Sequence, residues 1–228
     1  EKALQEVERA FAGIKDDKKT AKVKTTESQE CPQVLIKHKE TDQTHLILGV
    51  RAFAIFDERK YALEVLEDIW GGGMSSRLFQ KIREEMGAAY YIGASSDLFS
   101  DHGYLAAQAG VPKAKMQSVM QAILEEMQKL KNEPVEKKEL ARSKEHLVGT
   151  MLLSLETSHA LAGFYGAQEI IEKKLVSPEE IAEKLRKVTA EEIMAIANDI
   201  FVDEKLNMTA IGPLKEDPKI FEKILTLR

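Results

Sequence analysis

Between Trp70 and Tyr91 the chain reads WGGGMSSRLFQKIREEMGAAYY, and its spacing brings a cation and a phenol together. Gly71 to Gly73 stop one helical pattern, and Ser75 and Ser76 stand where a new helix could be capped. Leu78, Phe79 and Ile82 then recur at helical spacing. Gly87 reads as a helix stop, after which the chain leaves in extended form at Tyr90-Tyr91. Arg83 therefore falls in a last helical turn and Tyr90 opens a strand, with a tight turn between them. Plainer roles also suit these positions. An arginine near a helix C-terminus complements the macrodipole, and a tyrosine opening a strand packs.

Other chemistries find less support. The glycine run is no phosphate loop, because it lacks the G-x-x-x-x-G-K-[ST] order and follows a helix where a strand is required. No G-x-S-x-G is present. Cys31 lies in a polar stretch with no positioned histidine. The many Asp and Glu residues fall mostly on helix faces as solvated charge.

The elements that must hold the Arg83/Tyr90 pair are legible in outline. Residues 2 to 14 read as an amphipathic helix, with Leu4, Val7, Phe11 and Ile14 at helical spacing. It has the look of the tail of a preceding domain. Residues 15 to 32 are polar, charged and without a period, which predicts a disordered linker. Strands are expected at 33–38 and 44–54, the second apolar and β-branched as a well-buried strand is. A helix follows from Asp57 to Trp70, with Ala62, Leu66 and Ile69 on one face. Residues 90–99 and 103–111 form a hairpin rich in small side chains. Pro112 opens a helix to about Lys131, and another runs from Glu136 to Ser154, with an extension through Ile171 left open. Ser177-Pro-Glu-Glu and Thr189-Ala-Glu-Glu are start signals for two short helices. Residues 206–211 form a last strand, and Pro218 opens a closing helix. These blocks predict an α+β fold: a mostly antiparallel sheet with helices packed on one face.

Composition bounds the rest. The 228 residues are 43% hydrophobic, enough for a sizeable core, and carry a net charge of −5 with both signs interspersed. A nucleic-acid surface would want a clustered basic face, so no nucleic-acid partner is expected. No apolar run is long enough to span a membrane, and the start has no signal-peptide core. The single cysteine rules out an internal disulfide. Together these lead to the expectation of a cytoplasmic location.

The stretch GGGMSSRLFQKIREEMGAAYYIGAS closely resembles the second half of insulinase/pitrilysin-type zinc peptidases, a family that includes small bacterial peptidases and processing-peptidase subunits. Ala88 stands where leucine is usual. The resemblance continues through Gln43-Thr44-His45, Asp101-x-Gly103, Glu139-Leu140, Gly149, Leu155-Glu156, Val188-Thr189 and Ile211-Gly212-Pro213, covering about residues 33 to 213. It implies two similar halves that close around a peptide. The first half holds zinc through H-x-x-E-H and a distant glutamate, the intervening glutamate acting as general base. Here the five histidines, His38, His45, His102, His146 and His159, include no pair four residues apart. Glu156 tempts as a ligand but has no histidines to join it. No metal ligand is therefore expected in this chain, and zinc is assigned to the other half.

In the resembled half an Arg and a Tyr seven residues apart contact substrate, and Arg83 and Tyr90 match those positions. The implied roles are a planar guanidinium fork donating to a peptide carbonyl and a hydroxyl donating to the carbonyl oxygen as it becomes an oxyanion. The organisation implied is a tail helix at 1–14, an inter-half linker at 15–32 and a C-terminal half-domain at 33–228. The expected partners are an N-terminal zinc-binding half, on the same chain or a separate subunit, and a peptide substrate, with a dimer possible. The alternative is a catalytically inactive scaffold subunit of the same family, of processing-peptidase or respiratory-complex core type.

Overall fold

A computed structural model describes residues 1–15 and 22–227. Five strands form one sheet: β1 (Gln33–His38), β2 (Thr44–Ala52), β3 (Tyr91–Leu98), β4 (Gly103–Val111) and β5 (Leu206–Gly212), in the order β1-β5-β2-β4-β3. The β1–β5 pairing is parallel and the other three are antiparallel. The helices are α1 (Lys2–Phe11), α2 (Lys60–Gly71), α3 (Met116–Asn132), α4 (Lys137–Ser154), α5 (Ser158–Ile171), α6 (Pro178–Lys187), α7 (Ala190–Ile200) and α8 (Pro218–Glu222).

The side-chain period of two decides which face of the sheet meets helices. On β2, Thr44, Leu46, Leu48 and Val50 are buried; on β5, so are Leu206, Met208 and Ala210. On β4 the same face carries Leu105, Ala107, Ala109 and Val111. Against it lie Leu63, Leu66 and Trp70 of α2, Val119, Ile123 and Met127 of α3, and Ile193, Ile196 and Ile200 of α7. Trp70 and Phe201 meet at 5.6 Å between ring centroids in the middle of this layer. The opposite face presents Leu35, His45, Ile47, Tyr91 and Tyr104, all exposed. The fold is α+β, as the alternation of patterns predicts.

Several boundaries move for identifiable reasons. Asp57 does not begin α2; its carboxylate accepts the Arg59 N–H at 2.9 Å and makes a turn ahead of Lys60. Pro112 is followed by a 3₁₀ turn at Lys113–Lys115 before α3 starts. The extension through Ile171 fails at Leu155–Thr157. The Thr157 hydroxyl accepts the Ala160 N–H at 3.1 Å and caps a separate helix, α5. Both short-helix signals are true capping boxes, at Ser177/Glu180 and Thr189/Glu192. Gly71 ends α2 directly against β3, where a Cβ would stand 2.5 Å from Ala94.

The linker expected at 15–32 falls partly on residues 16–21, which lie outside the described residues. Its remainder is tied down. Lys22 Nζ donates to Asp101 at 2.7 Å, the Thr25 N–H donates to the same carboxylate at 2.9 Å, and Arg51 donates to Glu27 at 2.9 Å. Gln29 then donates to the Leu206 carbonyl at 2.9 Å. The absence of an apolar period there hides an order made of side-chain hydrogen bonds. No described helix is long and apolar enough to cross a membrane.

Candidate functional site

The helix expected to present Arg83 is a π-helix, Phe79–Glu85. Ser76 Oγ accepts the Phe79 N–H at 3.4 Å at its start, so Ser76 is the capping serine of the two. Leu78 and Ile82 are fully buried and pin the segment to the core. At its end the Met86 N–H reaches Lys81 O at 3.1 Å, the i→i−5 bond of a π turn. Wide turns of this kind concentrate at functional sites. Gly87 then takes φ +51°, a left-handed value that favours glycine. The Ala88 N–H closes back on Ile82 O at 3.0 Å, and Ala88 is buried in the position where the family usually has leucine.

Arg83 and Tyr90 thus stand on either side of the Gly87 turn. Tyr90 lies one residue outside β3, which begins at Tyr91, because its N–H bonds Gly110 O at 2.8 Å from a bend. Tyr90 is 57% exposed, and among the described residues its hydroxyl has no hydrogen-bond partner. Arg83 is also exposed. Its guanidinium carbon sits 5.6 Å from the Phe79 ring centroid, a contact that stiffens the side chain without occupying its donors. Arg51, Arg59, Arg77 and Arg186 each hold a carboxylate. Arg83 holds none among the described residues. A fork and a hydroxyl presented without partners can bind a carbonyl or carboxylate brought from outside.

A second concave region escaped the sequence reading. A groove of about 620 Å³ lies between α2, β3, α4 and α5, walled by Leu98, Leu147, Met151 and Phe164. Glu64 and Glu67 of α2 line it. Burial, reinforced by Glu67, raises the Glu64 carboxyl to about 7. Glu64 still reaches water at the groove mouth. Burial also raises Glu67, opposed by the Ser96 N–H at 2.9 Å and the Ser96 hydroxyl at 2.5 Å. At the rim Lys60 pairs with Glu172. The sequence signal was two glutamates three apart on a helix otherwise read for its apolar face.

The zinc chemistry of the resembled family finds no ligand set here. Zinc needs about three protein ligands, and among the described residues no group of three His, Cys, Asp or Glu is placed to hold a metal. The nearest approach is Asp68, which His146 Nδ1 meets at 2.7 Å and the Ser143 hydroxyl at 2.6 Å. One carboxylate and one imidazole, already bonded to each other, do not make a zinc site. Glu156 is exposed just beyond α4, away from any histidine pair.

A family model described as the peptidase M16 inactive domain matches residues 1–147. The chain is 35% identical over 170 residues to the uncharacterized zinc protease YmxG of Bacillus subtilis, covering 75% of this chain and 42% of that protein. It is 34% identical over 165 residues to an uncharacterized zinc protease of Rickettsia felis, covering 72% of this chain and 40% of that protein. Among solved structures, a protease from Helicobacter pylori superposes with a TM-score of 0.84 at 20% identity, over 93% of this chain and 52% of that one. A peptidase M16 inactive domain from Pseudomonas fluorescens gives 0.82 at 20% identity, over 93% of this chain and 51% of that one. The same fold occurs in complex III of Candida albicans, with a TM-score of 0.74 at 16% identity, over 85% of this chain and 49% of that one. The chain belongs to the M16 peptidase family, as its inactive, C-terminal type of domain. It spans about two fifths of the length of the curated relatives it matches.

Proposed function

We propose that this chain is the substrate-binding, zinc-free half of a zinc metalloendopeptidase, and that Arg83 and Tyr90 contact the peptide at the bond to be cut. The observation that carries the reading is the pair of exposed tips on either side of the Gly87 turn, unpartnered among the described residues, in a protein whose other arginines are mostly engaged. Arg83 grips a peptide carbonyl in its planar fork. Tyr90 donates to the carbonyl oxygen as negative charge develops on it. Zinc and the group that activates water belong to the other half, on the same chain or a separate subunit. Helix α1, whose Leu4, Val7 and Phe11 are exposed, fits the tail of that half, and residues 15–32 fit the connection between the two.

The test is turnover of a peptide by the assembled two-half protein. Arg83→Ala and Tyr90→Phe are each expected to lower kcat by about 10²- to 10³-fold, the cost of one oxyanion donor, while zinc content stays at the wild-type level. Wild-type turnover in both variants sinks the roles given to Arg83 and Tyr90, and a wild-type assembly without turnover leaves a scaffold subunit in place of a peptidase half.

A further inference from the structure

Tyr91, the residue after Tyr90, projects from the sheet face that carries no helices among the described residues. Its partner on β4 is Gly110, and the partner of Gly110 on β2 is His45, so the three residues form one row across three strands. A Cβ at Gly110 would stand 2.4 Å from Tyr91 Cε1 and 2.8 Å from its Cδ1. The phenol ring therefore lies across the Gly110 backbone, in space that any other residue would fill. On the far side the Tyr91 hydroxyl and His45 Nδ1 are 2.9 Å apart. The two rings stack at 28° with centroids 6.1 Å apart. The backbone is tied to the same point, since the Tyr90 N–H donates to Gly110 O at 2.8 Å.

From this geometry we infer that the Tyr91–Gly110–His45 row is a clamp that positions Tyr90 for substrate. The inference rests on the substrate reading of Tyr90 and adds two positioning residues, His45 and Tyr91, and a required glycine. The Tyr90 side chain has no partner of its own among the described residues, so its placement depends on its backbone. That backbone is held on one side by the Gly87 turn and on the other by the start of β3. At an edge strand such a start frays, because it has one neighbour only. The Tyr91 phenol bridges over that neighbour to the central strand β2 and stops the fraying. Positioning matters because a reacting group displaced by about an ångström can cost on the order of a hundredfold in rate.

The experiment compares Tyr91→Phe, which keeps the ring and deletes the hydroxyl, with His45→Ala, the double variant and Tyr90→Phe, all in the assembled two-half protein. Amide hydrogen exchange at Tyr90 and peptide kinetics are both measured. Loss of one hydrogen bond is expected to raise exchange at Tyr90 and to lower kcat, each by about 3- to 10-fold, with KM nearly unchanged. The double variant is expected to be no worse than His45→Ala alone, because the bond that Tyr91→Phe removes is then already gone. In a Tyr90→Phe background, Tyr91→Phe is expected to lower kcat no further, whereas a general structural defect adds to the loss. Unchanged exchange at Tyr90 overturns the clamp whatever the turnover. Raised exchange with unchanged kcat, where Tyr90→Phe has lost turnover, overturns its positioning role. Full turnover in Tyr90→Phe overturns the substrate reading and the positioning role with it, and the exchange data tell that failure from failure of the clamp.

Discussion

An arginine that binds a carbonyl acts through shape as well as charge. Its five donors lie in one plane, which a lysine ammonium does not reproduce. Arg83→Lys in the assembled protein is therefore expected to recover less than about a tenth of the kcat lost in Arg83→Ala, and recovery to the wild-type rate would reduce the role of Arg83 to simple charge. Gly87 works at the same scale by a different physics. Its φ of +51° puts a side chain in steric conflict with its own backbone. Gly87→Ala is expected to cost about 1–2 kcal/mol in urea denaturation. Gly87→Asn is expected to cost less, because asparagine tolerates the left-handed conformation. Equal losses in the two variants would show that the turn adjusts away from its present geometry.

At the scale of elements, α2 serves the core and the groove at once. Leu63, Leu66 and Trp70 face inward, and Glu64 and Glu67 turn toward the cavity walled by α4 and α5. The Glu64 carboxyl moves from 4.5 to about 7 on folding, so between those values the folded state keeps a proton that the unfolded state has lost. Stability therefore falls as pH rises from about 4.5 to about 7 and levels off above. Because Glu64 reaches water, screening reduces the effect well below the full value of the shift, to on the order of 1 kcal/mol. Glu64→Gln is expected to remove that slope and to be the more stable protein at pH 8, as read from urea midpoints at pH 4.5, 6 and 8. A variant with the same pH profile as wild type would show that the groove does not desolvate Glu64. The π-helix is the other element with a task of its own. Its wide last turn, closed by the Lys81 carbonyl, sets where Arg83 points, and a run read only as helical does not disclose it.

For the whole molecule, one helical layer stands behind the sheet, and its centre is the contact between Trp70 at the end of α2 and Phe201 after α7. Both rings are fully buried. Phe201→Ala is expected to cost about 3–5 kcal/mol, since the surrounding layer closes such a cavity only in part. Trp70 is the single tryptophan, so its fluorescence follows the same unfolding from inside the core. A loss under about 1 kcal/mol would show that the layer collapses around the gap.

Much of this was legible in the sequence for local reasons. Periods of two and of about 3.6 marked the five strands and most helices. Ser177-x-x-Glu180 and Thr189-x-x-Glu192 announced their helices because a capping box is a contact between residues three apart. Arg83, Gly87 and Tyr90 were readable because helix, stop and strand follow one another within a dozen residues. The rest depended on residues far apart in the chain. Glu64 faces α5, and His45 meets Tyr91 across Gly110, through pairings that no local pattern records. The order of residues 22–29 comes from bonds to Arg51 on β2, Asp101 in the turn between β3 and β4, and Leu206 on β5, all later in the chain. Local periodicity and capping chemistry thus determined the elements and brought Arg83 and Tyr90 to one turn, while their reading as substrate contacts came from the family resemblance. Tertiary structure alone decided the groove, the order of residues 22–29 and the Tyr91–Gly110–His45 row, because each is made by side chains whose neighbours are chosen by strand order and register.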